Sequence, residues 1–287
     1  MSSPRVSVVM PCFNLGQYVD EAVGSVLAQT FQDFEILLID DGSTDSETRR
    51  LIDSYSRPRT RVIQLPHRGV VAARNAGIAE AVGEYLSFFD VDDRMEPQFL
   101  ERTVEHLDAE PDAAFASCWI RLFGDEEWVW KPRRCDLVML LHDCCVGTPT
   151  LVRRSAVLEV GGYDPAMELG HEDWDLWLSI AERGHRGLII PEVLFCYRRR
   201  ATSRSSIADA LGLYLDLYRV RIAKHDRAYR DNLAELLWMK DRPLQRLLER
   251  VVDTEVEIDA LTSEVARRQD AVGQLRAALD DRREPAK

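Results

Sequence analysis

The 287-residue chain contains no apolar run of about 18 residues, so no segment reads as a membrane-spanning helix. No cleavable leader is expected either, because Met1-Ser2-Ser3-Pro4-Arg5 passes directly into a short apolar segment. The six cysteines (Cys12, Cys118, Cys135, Cys144, Cys145 and Cys196) include no C-x-x-C pair. That argues against a zinc framework and fits reduced thiols in a bacterial-type cytoplasm. Positive charge is scarce: 37 Lys and Arg stand against 49 Asp and Glu, a formal net charge of -12. Nucleic acid and anionic lipid surfaces repel such a chain, so neither is expected as its main partner. Arg198, Arg199, Arg200 and Arg204 form a local basic patch. The first apolar run is followed by Pro11-Cys12-Phe13-Asn14, not by G-x-G-x-x-G or by a Gly-rich, Arg-containing phosphate loop. That counts against a dinucleotide enzyme or a nucleotidyltransferase.

What is present reads as an ordinary globular chain, 46% apolar and 30% charged. Val6 to Met10, Glu35 to Ile39, Arg61 to Leu65, Tyr85 to Phe89 and Ala113 to Ser117 are short apolar runs suited to buried strands. Between them lie helical patterns. Val19, Ala22, Val23, Val26 and Leu27 share one face, Val70 to Val82 reads as a helix, and Leu100, Thr103, Val104 and Leu107 follow Pro97. The alternation predicts an α/β fold with a mostly parallel sheet flanked by helices. Residues 119–150 are read as irregular structure with short strands. Glu172 to Trp177 opens an amphipathic helix, and Leu188 to Ile190 and Val193 to Tyr197 are expected as two short strands. Residues 206–240 read as helical, and Pro243 breaks or kinks that helix. From there Leu244, Val251, Ile258, Val265, Val272 and Leu279 repeat every seven residues, which predicts a left-handed coiled coil. The expected partition is a catalytic domain over 1–205, a helical extension over 206–242 and a coiled-coil tail over 243–287.

In parallel α/β sheets, ligands sit at the carboxyl ends of strands, and here those ends carry acids. Asp40-Asp41-Gly42 ends one strand. Such a pair can be a solvated turn or helix cap, or it can accept hydrogen bonds from a nucleobase or ribose. Asp90-Val91-Asp92-Asp93 ends another. Three acids so close repel one another, and a divalent cation shared with substrate phosphates relieves that. The bland reading is an acidic loop before the next helix. Glu172, Asp173 and Asp175 lie at a helix start, where the dipole keeps carboxylates ionised. They either cap the helix or supply a base for an acceptor hydroxyl.

Taken in order, the motifs Pro11-x-Phe13-Asn14, Asp40-Asp41-Gly42-Ser43-Thr44-Asp45, Ala72-Ala73-Arg74-Asn75-x-Gly77, Asp90-x-Asp92-Asp93, Gly161-Gly162-Tyr163-Asp164, Glu172-Asp173-Trp174-Asp175-Leu176-Trp177 and Tyr197-Arg198 resemble family 2 glycosyltransferases over about residues 4–205. Those are inverting enzymes of the GT-A fold, a Rossmann-like mixed, mostly parallel sheet flanked by helices. The resemblance implies a nucleotide-sugar donor, usually a UDP-sugar, and Mn²⁺ or Mg²⁺. It places Pro11, Phe13, Asn14, Asp40, Asp41, Arg74, Asp90, Asp92, Glu172, Arg198 and Arg200 around the donor. Asp41 would read the base, Asp92 and Asp93 would hold the metal, and Asp173 would be the general base. Arg74 has a structural salt bridge as its alternative.

Two positions depart from the family pattern. Arg200 stands where His is common, and His67 where Asn is common. Neither the Gln-x-x-Arg-Trp motif nor the membrane helices of processive members are found, which favours transfer of a single sugar. His142 and His171 read first as structural histidines, with His171 directly before Glu172 the more interesting. Trp128 and Trp130 could stack on a sugar or pack a flap. The acceptor (glycan, lipid-linked or protein) is not legible. The tail suggests a homo-oligomer or a partner glycosyltransferase, in the cytoplasm or peripherally at the inner membrane face. The competing reading is a catalytically silent module that serves as a scaffold through its coiled coil.

Overall fold

The computed structural model describes residues 3–147, 149–200, 212–242, 254, 257–258 and 261–269. Its centre is β1 (Val6–Cys12), flanked in parallel by β2 (Phe34–Asp40) and β4 (Tyr85–Phe88), with β3 (Thr60–Gln64) parallel beyond β2. Val8, Val9, Ile36, Leu37, Leu86 and Phe88 are all fully buried. A strand covered on both faces needs apolar side chains on both, which is why these segments read as continuous runs. The crossovers are α1 (Gly16–Leu27), α2 (Ser46–Asp53) and α3 (Val70–Glu80). Asp45 caps α2 by accepting from Thr48 N at 2.8 Å. Gly77 lets α3 lie close on the sheet, since a Cβ there would stand 2.3 Å from a Val9 methyl.

Beyond β4 the sheet turns mixed. β8 (Thr150–Arg153) runs antiparallel between β4 and β6 (Ala113–Gly124), and β9 (Arg186–Arg199) lies parallel to β6. β5 (Arg94–Met95) pairs with β9, and β7 (Trp128–Trp130) with β6. The strand order is β3-β2-β1-β4-β8-β6-β9-β5, with β7 on β6, so the expected α/β architecture is present. α4 (Phe99–Ala109) packs its Phe99, Leu100, Val104 and Leu107 face into the core, and α7 (Glu172–Glu182) buries Trp174, Leu176, Trp177 and Leu178.

The middle of the chain is more regular than the sequence suggests. Residues 119–124, read as irregular, continue β6. The two short strands expected after Gly187 are one strand, β9, fourteen residues long. Register shifts at Cys118, Trp119 and Ile120 mark bulges that bend the β6–β9 pair while keeping it paired. Such bulges also break the side-chain alternation that a sequence pattern depends on. Two short helices, α5 (Leu137–His142) and α6 (Arg154–Glu159), also lie in or beside this stretch.

The helical extension is interrupted rather than continuous. α8 (Tyr214–Lys224) and α9 (Asp226–Asp231) are separated by His225. Residues through Asn232 form one compact unit, and Leu233 onward a second. In the second unit residues 233–242 and 261–269 are helical, and the expected coiled coil otherwise lies outside the described residues. No helix among the described residues is long and apolar enough to cross a membrane.

Candidate active site

A cleft of about 570 Å³ opens at the carboxyl ends of β1 and β4. Its walls include Pro11, Phe13, Asp41, Arg74, Asp90, Asp92, Glu172, Asp173 and Arg200. Side chains from as far apart in sequence as Pro11 and Leu217 therefore share one cavity. Asn14, Asp40, Asp93 and Arg198 do not line it.

On the β1–β2 side, Asp41 follows the end of β2 and is buried. Its Oδ1 accepts from Arg68 N at 2.9 Å, and its Oδ2 accepts from Gly69 N at 2.9 Å and His67 Nδ1 at 2.8 Å. The His67 ring stacks on Phe13, with centroids 4.1 Å apart and planes 14° from parallel. Asp40 turns the other way and accepts from Ser43 N at 3.3 Å and from Ser43 Oγ, which locks the turn after β2. Asn14 does similar work, accepting from Thr44 N and Asp45 N at 2.8 and 2.9 Å. Both residues shape the site from behind.

The acids after β4 take different roles. Asp90 accepts from Arg74 Nη2 at 2.8 Å, and Asp92 Oδ2 accepts from Arg200 Nε at 3.0 Å. Burial, then Asp90, raise the Asp92 carboxyl, while Arg200 opposes them. Asp93 is 1% exposed. Its Oδ1 accepts from Arg198 N at 2.7 Å, and its Oδ2 is buried without a hydrogen-bond partner. Burial first, then Asp92 and Asp90, hold its carboxyl well above the ordinary range. An orphaned carboxylate oxygen beside two more carboxylates is what a divalent cation would satisfy. Among the described residues no three His, Cys, Asp or Glu side chains converge on one ion position. Mg²⁺-type sites, however, commonly use one or two carboxylates and take the rest from water and substrate phosphate. Asp92 and Asp93 fit that donor set. Arg198 supports them from outside: its Nε donates to Asp92 O at 2.7 Å, and its guanidinium pairs with Glu21.

Opposite stands the start of α7. Arg74, 2% exposed, bridges the two sides by donating Nη1 to Glu172 Oε1 at 2.9 Å and Nη2 to Asp90 at 2.8 Å. Burial alone would lower its pKa, but Asp90, Tyr163, Glu172 and Asp173 together hold it well above the usual value. Arg74 is thus both the structural ion pair and a cleft residue. Asp173 is half-buried beside it, with Oδ1 accepting from Trp174 N at 2.7 Å. Burial and the neighbouring Glu172 push its carboxyl up to about 6, against Arg74. A carboxylate poised near neutrality, with one oxygen already engaged, can take a proton on the other.

Sequence reasoning missed several wall residues. Glu168 accepts from Val70 N and Val71 N at 3.1 and 3.3 Å, so a protein carboxylate already fills the N-terminus of α3. Gly69 is required there, with φ at 91° and no room for a Cβ beside the Glu168 carboxylate. Tyr214 and Leu217 of α8 also line the cleft. Trp128, half exposed on β7, and His142 do not. No local motif marks Glu168. The segment that forms α8 was read as helical, without its Tyr214 and Leu217 being assigned to the site.

Comparison with known proteins follows the same lines. Residues 7–160 match the family described as Glycosyl transferase family 2. EpsE of Bacillus subtilis (strain 168), assigned as a glycosyltransferase, is 30% identical over 244 residues, covering 79% of this chain and 87% of that protein. Among solved structures, S. aureus TarS 1-349 in complex with UDP-GlcNAc is similar in fold, with TM-score 0.59 and 17% identity over 70% of this chain and 60% of that one. The mannosyltransferase PcManGT from Pyrobaculum calidifontis, in complex with GDP-Man and Mn²⁺, gives TM-score 0.62 and 21% identity over 79% of this chain and 65% of that one.

Proposed function

The chain belongs to glycosyl transferase family 2 and is a glycosyltransferase, and from that premise we propose that it transfers one sugar, with inversion, from a UDP-sugar to an acceptor hydroxyl. The observation that carries this reading is the meeting of Asp41, Asp92 and Asp173 in one cleft. The UDP-GlcNAc complex of TarS supports the choice of donor class. Transfer of a single sugar rests on the missing processive motif, and a role in polysaccharide biosynthesis on relatives such as TuaG of Bacillus subtilis, assigned to teichuronic acid biosynthesis.

Asp173 removes the proton from the acceptor hydroxyl at Oδ2, since Oδ1 is held by Trp174 N. The oxygen attacks the anomeric carbon opposite the diphosphate, whose C–O bond breaks with its electron pair, so an α-linked donor gives a β-linked product. Arg74 keeps Glu172 and Asp90 fixed on either side of the reacting centre. Asp92 and Asp93 would hold Mn²⁺ or Mg²⁺, which when bound neutralises charge on the departing diphosphate as a Lewis acid. Arg200, paired with Asp92, is placed to donate hydrogen bonds to a departing phosphate. The coiled-coil tail is proposed to pair with a second copy or with another glycosyltransferase, and the acceptor is a glycan, a lipid-linked sugar or a protein.

The test is a thermal-shift and calorimetric panel of UDP-, GDP- and dTDP-sugars with and without Mn²⁺, followed by nucleotide-release assays. A Mn²⁺-dependent shift with UDP-sugars and slow UDP release are expected. Stabilisation by no nucleotide would favour the scaffold reading instead.

A further inference from the structure

The turn before α7 holds a histidine that the mechanism leaves unused. His171 adopts a left-handed backbone, φ 61°, uncommon for a residue with a side chain. Its ring packs among Trp174, Tyr214 and Tyr218, with centroids 5.2, 5.7 and 5.4 Å away. Arg221 Nη1 donates to His171 Nδ1 at 3.2 Å. A guanidinium has no lone pair to offer, so Nδ1 must be the unprotonated nitrogen. Arg221 is itself 0% exposed. It lies 3.3 Å over the Trp174 ring and donates Nε to the Tyr229 hydroxyl at 3.3 Å, so its position is set from three sides. Burial, then the Arg221 charge, push the His171 imidazole down to about 4, so it stays neutral near pH 7. A neutral ring with Nδ1 unprotonated carries its hydrogen on Nε2, and Nε2 bonds to no described residue. The ring lines the cleft two residues from Asp173, and Leu169 and Tyr214 line it too. Leu169 is 69% exposed and Tyr214 36%.

An apolar and aromatic wall with one fixed hydrogen-bond donor suits a pyranose, whose C–H face packs on rings while its oxygens need donors. We infer that His171 is a specificity residue for the acceptor, donating Nε2–H to an oxygen of an acceptor sugar packed against Tyr214 and Leu169, with Arg221 as the positioning residue that fixes its tautomer. The inference rests on the glycosyltransferase reading and adds a substrate class to it, a glycoside acceptor rather than a bare lipid or a peptide hydroxyl.

The probes are methyl α- and β-pyranosides of glucose, galactose, mannose and N-acetylglucosamine. They are offered to the full chain with UDP and Mn²⁺ and followed by saturation-transfer NMR. His171→Phe keeps the ring and removes the donor, His171→Gln restores a donor, and Arg221→Met removes the guanidinium. At least one pyranoside should bind the unaltered chain, tenfold or more weaker to His171→Phe, with recovery in His171→Gln and UDP affinity unchanged throughout. Long-range ¹H–¹⁵N spectra should show Nε2–H at His171 in the unaltered chain and a tautomer mixture in Arg221→Met, a signature that a merely structural arginine would not move. Equal pyranoside binding by His171→Phe, binding of none of the panel by the unaltered chain, or an Nδ1–H tautomer overturns the inference. Loss of UDP binding by the unaltered chain would sink the donor assignment instead.

Discussion

In the proposed mechanism Asp173 trades stability for reactivity. From the ordinary value of 3.8, burial and then Glu172 push its carboxyl up to about 6 in the cleft. Below 3.8 it is protonated in both states and imposes no penalty. As pH rises through 6 the folded state must carry a charge it disfavours. The Asp173→Asn protein, lacking that charge, should therefore unfold about 1–2 kcal/mol less readily at pH 7.5, where solvent reaching the half-buried group screens part of the penalty. Its transfer rate should fall at least ~10²-fold while UDP-sugar affinity stays within about twofold. Denaturant melts and calorimetry check the two halves, and lost donor affinity would mean that the base is another residue. Asp93 behaves differently, because its unpartnered Oδ2 is buried and its carboxyl is held high by its neighbours. Asp93→Asn should remove most of the gain in UDP affinity that Mn²⁺ gives, about tenfold, and leave metal-free UDP binding unchanged. Titrations with and without Mn²⁺ measure that difference directly. The acids were the legible part of the site, because carboxylates after apolar strands are an anomaly that a sequence displays. Their partners were not legible. Nothing in the sequence places Arg74 between Glu172 and Asp90, or shows that Asp40 turns back to Ser43 while Asp41 faces the cleft.

At the scale of elements, the same contrast separates the two halves of the sheet. β1, β2 and β4 were readable because parallel strands covered on both faces need continuous apolar runs. β6 and β9 were only partly readable, because their bulges interrupt the alternation. The docking of α8 was beyond any local pattern, since it depends on charges that meet only in the folded chain. His225, 1% exposed in its side chain, directs Nε2 to Asp175 Oδ1 at 2.9 Å and Nδ1 to Glu182 Oε2 at 2.8 Å. Two carboxylate acceptors require both nitrogens to donate, so the ring is an imidazolium. Burial alone would lower its pKa, but the bonds to Asp175 and Glu182 raise it above the ordinary histidine value. Lys224 closes the network with 2.7 Å bonds to Asp164 and Asp175. This ties α8 to α7, the helix that carries Asp173. Because the folded pKa is raised, the stabilisation is complete below the unfolded value near 6.5 and is lost as pH rises through the folded one. Amide exchange in α8 should accelerate over that window. In His225→Ala it should be fast at all pH values, with a loss of about 1–3 kcal/mol because Asp175 Oδ1 loses its donor while Lys224 still holds Oδ2. An unchanged exchange profile would show that the network does not hold the helix. Activity should accordingly rise through about pH 6 as Asp173 ionises and decline at higher pH as His225 loses its proton.

For the whole molecule, the question is what the second compact unit contributes. The proposed catalytic and binding side chains belong to the first unit, which runs through Asn232. The second begins at Leu233, and its described part exposes Ile258, Leu261 and Val265 at 56%, 66% and 53%. Ile258 and Val265 are seven residues apart, and Leu261 is three beyond Ile258, the spacing of a coiled-coil seam. Apolar side chains at that spacing on a helix gain little in water as a monomer. Each would contribute roughly 1.5–3 kcal/mol when buried against a partner. The wider heptad from Leu244 to Leu279 supplies six apolar positions for that purpose. The net charge of -12 does not oppose pairing strongly if the seam itself is apolar, because flanking charges remain in solvent and are screened within about 8 Å at physiological salt. A chain ending at residue 242 should therefore lose one oligomeric step in light scattering, at least halving the mass in solution, while UDP release per protomer stays within twofold. Charging the seam in the full chain, with Ile258→Glu and Val265→Glu together, should reproduce the same dissociation. If the shortened chain keeps its mass, the tail is not what pairs the protomers. If the mass falls and UDP release falls with it, assembly is part of the catalytic apparatus rather than an addition to it.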